Sequence, residues 1–273
     1  MSVYVDRMGV CPEVPNELLQ ALQFGEGAFE TIRVDEHRGI EWCDAHWSRW
    51  QKGLAYVGVD VNSHLRVEDW ITAIRALAKE SGCASPWMVA RPQGVITNDG
   101  EFRWWVQWSV GKQWTHPLTL GRVPVTPLPD EDKPAALKLN MMSHYRQAER
   151  LAVSNGWDHP LLCTKDGYVS ESSRANLFWI KDGCFYTPSL TCLPLHGVMR
   201  HAFIHWVQSQ NGRQLFEVSA TFEELLQADT ILLSNSLQRI TWVDTLEGSM
   251  KKKPDAFDQW MESFDKATHF TPI

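Results

Sequence analysis

The segment DGYVSESSRANLFWIKDGCFYTP (166–188) decides the fold. With the residues before it, it reads as two hairpins, HPLLCTKDGYVSES (159–172) and NLFWIKDGCFYTP (176–188). Each turns on Lys-Asp-Gly, and Asp-Gly between apolar runs is a strong hairpin signal. Glu171 falls between the two, within a core sheet. An acid there is ordinarily a surface residue at a turn. Its functional reading is an anion held against a ring nitrogen.

Outward from this sheet the apolar period changes to that of helices. MSHYRQAERLAVSNG (142–156) reads as a helix ending at Gly156, and HGVMRHAFIHWVQSQNG (196–212) as another. TFEELLQA (221–228) is a short helix, TILLSNS (230–236) and ITWVDTLEG (240–248) are strands, and PDAFDQWMESFDKA (254–267) closes the chain as a helix. In the first half, CPEVPNELLQALQFGEGAFETIRV (11–34) gives a short helix, a glycine turn and a strand from Phe29. CDAHWSRWQKGLAYVGV (43–59) is helical, with Asp44 placed to cap it, and RVEDWITAIRALAKESG (66–82) is a helix closed by Gly82. PWMVARPQGVIT (86–97) and EFRWWVQWSV (101–110) are strands joined through Asn-Asp-Gly. VPVTPLPDEDKPA (123–135), rich in proline and acid, is the linker. The expected layout is an N-terminal α+β domain over 1–122, a linker over 123–135 and a C-terminal α/β domain over 136–273.

A chain of 273 residues with 44% hydrophobic and 22% charged content is globular. A net charge of −7 with no basic stripe argues against nucleic acid. No apolar run approaches the roughly 18 residues of a membrane span, so no membrane partner is expected. MSVYVDRMGV (1–10) lacks the charged-then-apolar order of a signal segment, which points to the cytoplasm. Cys11, Cys43, Cys83, Cys163, Cys184 and Cys192 are scattered, so free thiols are expected and no zinc site.

Four features carry chemistry. Lys138 in AALKLNMMSHYRQAERLA (135–152) has Ala135, Ala136, Leu137 and Leu139 around it, then Met141 and Met142. Inside an apolar strand an ammonium is desolvated and its pKa falls. The neutral amine is a nucleophile that forms Schiff bases. The plain alternative is a solvated charge ahead of a helix. Glu171 is the second feature, the partner that a pyridoxal phosphate electron sink requires. The third is a pair of phosphate binders. Gly197 opens a helix in LPLHGVMRHAF (193–203), and helix N-termini bind anions; Ser-Asn-Ser (234–236) offers hydroxyls at a strand end. The fourth is Arg49 in HWSRW (46–50), either a phosphate clamp or a surface arginine stacked on tryptophan.

Taken in order, these motifs resemble the class IV, or fold-type IV, pyridoxal-phosphate enzymes, which include branched-chain aminotransferases, D-amino-acid aminotransferases and aminodeoxychorismate lyases. FGEGAFETIRV (24–34) is similar to the family's N-terminal turn and strand, and HWSRW to its phosphate-arginine helix. The 166–188 segment is similar to its D-G-x-V-x-E…N-x-F…DG…TP signature, LPLHGVMR (193–200) to its phosphate turn, and SNSLQRITWV (234–243) to its second phosphate strand. The resemblance implies an α+β (mixed α/β) homodimer of two-domain subunits with the cofactor in the interdomain cleft. It implies that Lys138 is the Schiff-base lysine, that Arg49, Gly197, Val198, Met199 and Ser236 bind the phosphate of pyridoxal 5′-phosphate, that Glu171 holds its ring nitrogen, and that Phe29 walls the substrate pocket. The 33 positions from 138 to 171 lie within the family's lysine-to-glutamate range, which favours Lys138 over Lys133.

Three departures narrow the subclass. Asn140 follows the lysine by two positions, where the family uses three or four. Met141 stands where branched-chain enzymes have a tyrosine. VARPQGVITNDG (89–100) lacks the Arg-x-His of D-amino-acid enzymes, and His196 replaces a frequent proline. The expected activity is transfer of an amino group between a small amino acid and a 2-keto acid. The alternative is elimination of pyruvate, as by a 4-amino-4-deoxychorismate lyase. A non-catalytic relative is the third reading, disfavoured because Lys138 and Glu171 are both present.

Overall fold

Apolar residues in strand alternation gather most of the first half of the chain into one sheet. The computed structural model describes residues 2–23, 25–81 and 85–273. The chain opens with the hairpin β1 (Ser2–Val5) and β2 (Gly9–Cys11), then α1 (Asn16–Gln20). Next come β3 (Gly27–Phe29), β4 (Ile32–Asp35), β5 (Gly39–Glu41), α2 (Cys43–Tyr56), α3 (Val67–Ser81), β6 (Trp87–Ile96) and β7 (Phe102–Val110). β6 and β7 pair antiparallel from Met88↔Val110 to Ile96↔Phe102, as the Asn-Asp-Gly turn requires. The C-terminal strand Phe270–Thr271 adds to β5. The sheet order is C-terminal strand, β5, β4, β6, β7, β1, β2, with β3 also on β6.

The strand expected from Phe29 is interrupted, and Pro92 explains why. β3 pairs with β6 at Phe29↔Gln93, and β4 resumes at Ile32↔Ala90 in the same register. Between them the Glu30 amide donates to the Pro92 carbonyl at 2.9 Å. Proline has no N–H to return the bond. The interruption coincides with Glu30, whose carboxylate is fully buried.

α2 lies close to this strand because glycines permit it. A Cβ on Gly94 would stand 2.8 Å from Trp50 and 3.0 Å from Leu54, and a Cβ on Gly53 would stand 2.8 Å from Ala28. The Trp50 indole donates to the Ala28 carbonyl at 2.9 Å. Trp50, Trp70, Trp87, Trp104, Trp105 and Trp108 are all buried, so core packing accounts for these six, while Trp42 and Trp47 are partly buried. Asp44 does not cap α2. The N-cap is Trp42, left-handed at φ 51° and without a side-chain cap bond. Its amide donates to His269 at 3.0 Å and its ring meets the His269 ring edge-on, so a long-range contact sets the helix entry. Asp44 sits in the first turn, where an anion still complements the helix dipole. The expected stop at Gly82, and Cys83, lie outside the described residues.

Beyond residue 112 come β8 (Thr119–Arg122), α4 (Ser143–Ser154), β9 (His159–Cys163), β10 (Val169–Ser172), β11 (Ala175–Lys181), β12 (Cys184–Pro188), α5 (Val198–Ser209), β13 (Leu215–Val218), α6 (Phe222–Leu226), β14 (Thr230–Asn235), β15 (Arg239–Val243), β16 (Thr245–Leu246), β17 (Ser249–Met250) and α7 (Phe257–Lys266). The two Lys-Asp-Gly turns join β9 to β10 and β11 to β12, both antiparallel pairs. Ten strands make this second sheet among the described residues, in the order β13, β12, β11, β10, β9, β8, β16, β17, with β14 between β11 and β15. Its core includes Leu161, Val169, Leu177, Trp179, Ile231 and Leu233. Among the described residues no helix is long and apolar enough to cross a membrane. Cys11, Cys43, Cys163, Cys184 and Cys192 are free thiols.

Contacts divide the chain into two units: Met1–Lys112 with Leu137–Met141 and Thr268–Ile273, and Gln113–Ala136 with Met142–Ala267. This differs from the division read from the sequence. β8 belongs with the second unit, and the 137–141 segment carrying Lys138 belongs with the first. The reason is pairing: the Phe29 amide donates to the Lys138 carbonyl at 3.2 Å, and the Asn140 amide to Gly27 at 3.0 Å. The proline-rich stretch is packed as well, since Val123, Val125, Lys133 and Ala135 are buried.

The close approach of α2 predicts that Gly94→Val destabilises the protein by about 1–3 kcal/mol, the usual range for overpacking. Urea unfolding checks this, and an unchanged midpoint overturns the account of helix placement.

Candidate active site

In the first unit a fully buried carboxylate meets an arginine side-on. Arg49 donates from Nε to Glu30 Oε1 and from Nη2 to Glu30 Oε2, both at 2.7 Å. His46, one turn earlier on α2, places Nδ1 2.7 Å from Glu30 Oε2. Burial alone would push the Glu30 carboxyl up; the charge and bonds of Arg49, then those of His46, outweigh it and hold the group at about 2. Burial lowers the pKa of His46, and Lys138 and Arg49 add to that while Glu30 opposes it. A neutral His46 facing an ionised acceptor carries its proton on Nδ1. Glu30 therefore fixes the Arg49 guanidinium in one plane through a bidentate pair.

Lys138 lies in the same unit. It is half-buried and sits beside an isolated bridge between Ala28 and Leu139, not within a strand. The expected apolar strand is absent because only this short stretch pairs with β3. Lys138 Nζ is 4.6 Å from the centroid of the Phe29 ring. Asn140 is held by Gln93, whose Nε2 donates to its Oδ1 at 2.7 Å. Arg91 Cζ approaches the same Phe29 ring at 4.5 Å. Phe29, Arg49 and Lys138, singled out from the sequence, are thus neighbours in one unit.

In the second unit Glu171 lies on β10 opposite Asn176 on β11 and is buried. The surface-turn reading of this acid does not hold. Its Oε1 accepts from the Tyr145 hydroxyl at 2.5 Å. Its Oε2 accepts from the Leu195 amide at 2.9 Å and from Asn176 Nδ2 at 3.2 Å. Asn176 Nδ2 also donates to the Leu195 carbonyl at 2.8 Å, tying the sheet to the approach of α5. A Cβ on Gly197 would stand 2.0 Å from Asn176 Oδ1, so only glycine fits at the N-cap of α5. With no side chain at that cap, the first-turn amides of Val198 and Met199 have no intrahelical acceptor. Ser236 follows β14 in a turn where Asn235 Oδ1 accepts from the Leu237 and Gln238 amides at 2.9 and 2.7 Å. Ser234, paired with Asn176 across β14 and β11, has a buried hydroxyl without a protein partner.

Lys133, the rival lysine, is the more buried of the two at 4% exposure. Burial lowers its pKa, while Glu171 and Asp130 oppose that. Its Nζ is 6.0 Å from the Tyr145 ring centroid. His144 beside it is pushed down to about 4 by burial and by the Lys133 charge. Sequence reasoning missed Glu30, His46, Tyr145 and Asn176. His46 and Arg49 at helical spacing, with an acid directly after Phe29, were a usable signal for the first pair. Nothing local marked Tyr145.

The family model described as amino-transferase class IV matches residues 27–246. An aminodeoxychorismate lyase of Vibrio harveyi is 26% identical over 247 residues, covering 85% of this chain and 88% of that protein. A branched-chain-amino-acid aminotransferase of Pseudomonas aeruginosa is 32% identical over 97 residues, covering 36% of this chain and 31% of its own length. Among solved structures, the branched-chain aminotransferase of Thermoproteus uzoniensis superposes with a TM-score of 0.86 at 21% identity, covering 97% of this chain and 94% of that one.

The buried Glu30 pair has a pH signature. Folded, its carboxyl stays ionised down to about 2, whereas the unfolded chain takes up a proton near 4.5. Its stabilisation is complete above the unfolded value and is lost as pH falls toward 2. It amounts to something on the order of 3 kcal/mol. The stability gap between wild type and Glu30→Gln should narrow as pH falls from 5 to 2 in urea titrations. A constant gap overturns the assignment.

Proposed function

The chain belongs to the class IV aminotransferases, and from that membership we propose a pyridoxal 5′-phosphate enzyme that moves an amino group between a small amino acid and a 2-keto acid. The observation that carries the reading is Glu171, a buried carboxylate oriented by three donors. A protonated ring nitrogen needs such an anion. The other residues fit the same group. The side-chain-free cap at Gly197 and the amides of Val198 and Met199 suit a phosphate. The orphaned hydroxyl of Ser234 extends that donor set, and Ser236 lies two positions further along the chain.

Bound pyridoxal 5′-phosphate supplies a cationic ring that takes up the electron pair left when a bond to the substrate Cα breaks. Lys138 would hold the group covalently through Nζ. As a free amine, the same Nζ would act as the base that takes the proton from the substrate Cα. Glu171 would accept a hydrogen bond from the ring nitrogen and keep that proton in place. Arg49, its plane set by Glu30, would bind the phosphate. Phe29 would wall the substrate side.

A second reading is supported by the likeness to a lyase over 85% of this chain and 88% of that protein. Lys138 and Glu171 serve elimination of pyruvate from 4-amino-4-deoxychorismate as well as transamination, because both begin with loss of a Cα proton. An assay separates them. Amino-group transfer requires a 2-keto acid acceptor, whereas pyruvate release without any acceptor overturns the first reading in favour of the second.

Borohydride reduction of the cofactor-loaded protein followed by peptide mapping should mark Lys138. A mark on Lys133 overturns the assignment. We also infer a homodimer from family membership; light scattering that shows a stable, active monomer overturns it.

A further inference from the structure

Tyr145 is the donor to Glu171 that neither the sheet nor the α5 turn supplies. Asn176 and the Leu195 amide both serve Oε2 and fix the plane of the carboxylate. Oε1 receives the Tyr145 hydroxyl, which arrives from the first turns of α4 at 2.5 Å. The ring is buried at 7% exposure and is wedged against His144, with centroids 3.9 Å apart. The geometry is thus fixed on both sides of the bond.

We propose that Tyr145 is a positioning residue that sets the proton affinity of Glu171 and thereby keeps the proton on the cofactor's ring nitrogen. The proposal rests on the pyridoxal-phosphate reading above. Its physics is that of a hydrogen bond to the charged form of an acid. A donor on the carboxylate stabilises the anion and lowers its basicity. With Oε1 occupied, Glu171 is a weaker competitor for a proton shared with the ring nitrogen. The proton then stays on nitrogen, and the ring stays cationic. The hydroxyl is suited to this because it keeps its own proton: burial raises the Tyr145 pKa well above the ordinary value, and the charge and bond of Glu171 raise it further. Lys133 places a further positive charge near the pair, interacting with Glu171 and lying 6.0 Å from the Tyr145 ring centroid.

The test uses full-length protein loaded with pyridoxal 5′-phosphate labelled with 15N in the ring. Wild type should bind the cofactor and show a protonated ring nitrogen; a wild type that binds none overturns the reading this proposal rests on, and the proposal with it. In Tyr145→Phe the 15N resonance should move toward the unprotonated value. kcat should fall about ten- to a hundredfold, the range of a hydrogen bond to a charged group, with KM little changed. In a Glu171→Gln background the same substitution should leave kcat unchanged, because Tyr145 acts through that carboxylate. An unmoved resonance, or equal losses in both backgrounds, overturns the proposal and leaves the cofactor reading standing. Should Tyr145→Phe give no soluble protein, 3-fluorotyrosine at 145 alone keeps the ring and strengthens the donor. The resonance must then move the opposite way, and an unmoved one overturns the proposal.

Discussion

A carboxylate with no exposure to water must be paired, and the first unit is organised around one. Removing one partner from a buried ion pair costs about 3–5 kcal/mol, because a charge is left stranded. Glu30 is that carboxylate, and α2 can satisfy it only by lying close enough for Arg49 to reach both oxygens. The glycines at 53 and 94 make this approach possible, and Pro92 marks the break in strand pairing beside Glu30. Three features that look unrelated in sequence thus follow from one electrostatic demand. Lys138 reaches the same neighbourhood through backbone pairing with β3, so the lysine and the arginine are indexed to the same strand.

Glu171 meets the same demand differently. Its hydrogen-bond donors at Tyr145, Asn176 and the Leu195 amide are neutral groups. Neutral donors orient a carboxylate and stabilise it without contributing an opposite full charge of their own. Glu30 spends its charge on orienting a guanidinium. Glu171 is oriented by those neutral donors, and Lys133 interacts with it through charge. The two buried acids thus differ in the kind of partner each has, and the contrast is visible only once those partners are known.

The hairpins were legible because their signals are local: Asp-Gly turns at 166–167 and 182–183, and Asn-Asp-Gly at 98–100, lie between apolar runs. Glu171, Arg49 and the Gly197 turn were legible as residue types in a family order. What escaped was set by distant contacts. The Trp42 cap depends on His269, so Asp44 was a reasonable but incorrect choice. The unit boundary escaped because Lys138 and Asn140 pair with residues near position 28, and no local composition shift records that. Lys133 lies in the acidic, proline-rich stretch read as the linker, yet it is buried beside Tyr145. Apolar flanks misled in the opposite direction at Lys138, which is the less buried of the two lysines.

Charge distribution completes the argument. The chain carries a net charge of −7, which repels the anionic phosphates and carboxylates on which an aminotransferase acts. Local cations must therefore outweigh the global field where such groups enter. The Phe29 ring has two of them close by, with Lys138 Nζ at 4.6 Å and Arg91 Cζ at 4.5 Å from its centroid. An aromatic face attracts each cation through its quadrupole. It can thus help hold two like charges in one region that their mutual repulsion would otherwise spread apart. Arg49 contributes less to this field than its charge suggests, because Glu30 offsets it. Its value lies in directed donors at short range. Lys138 and Arg91 both approach the Phe29 ring, which is the element the two side chains share.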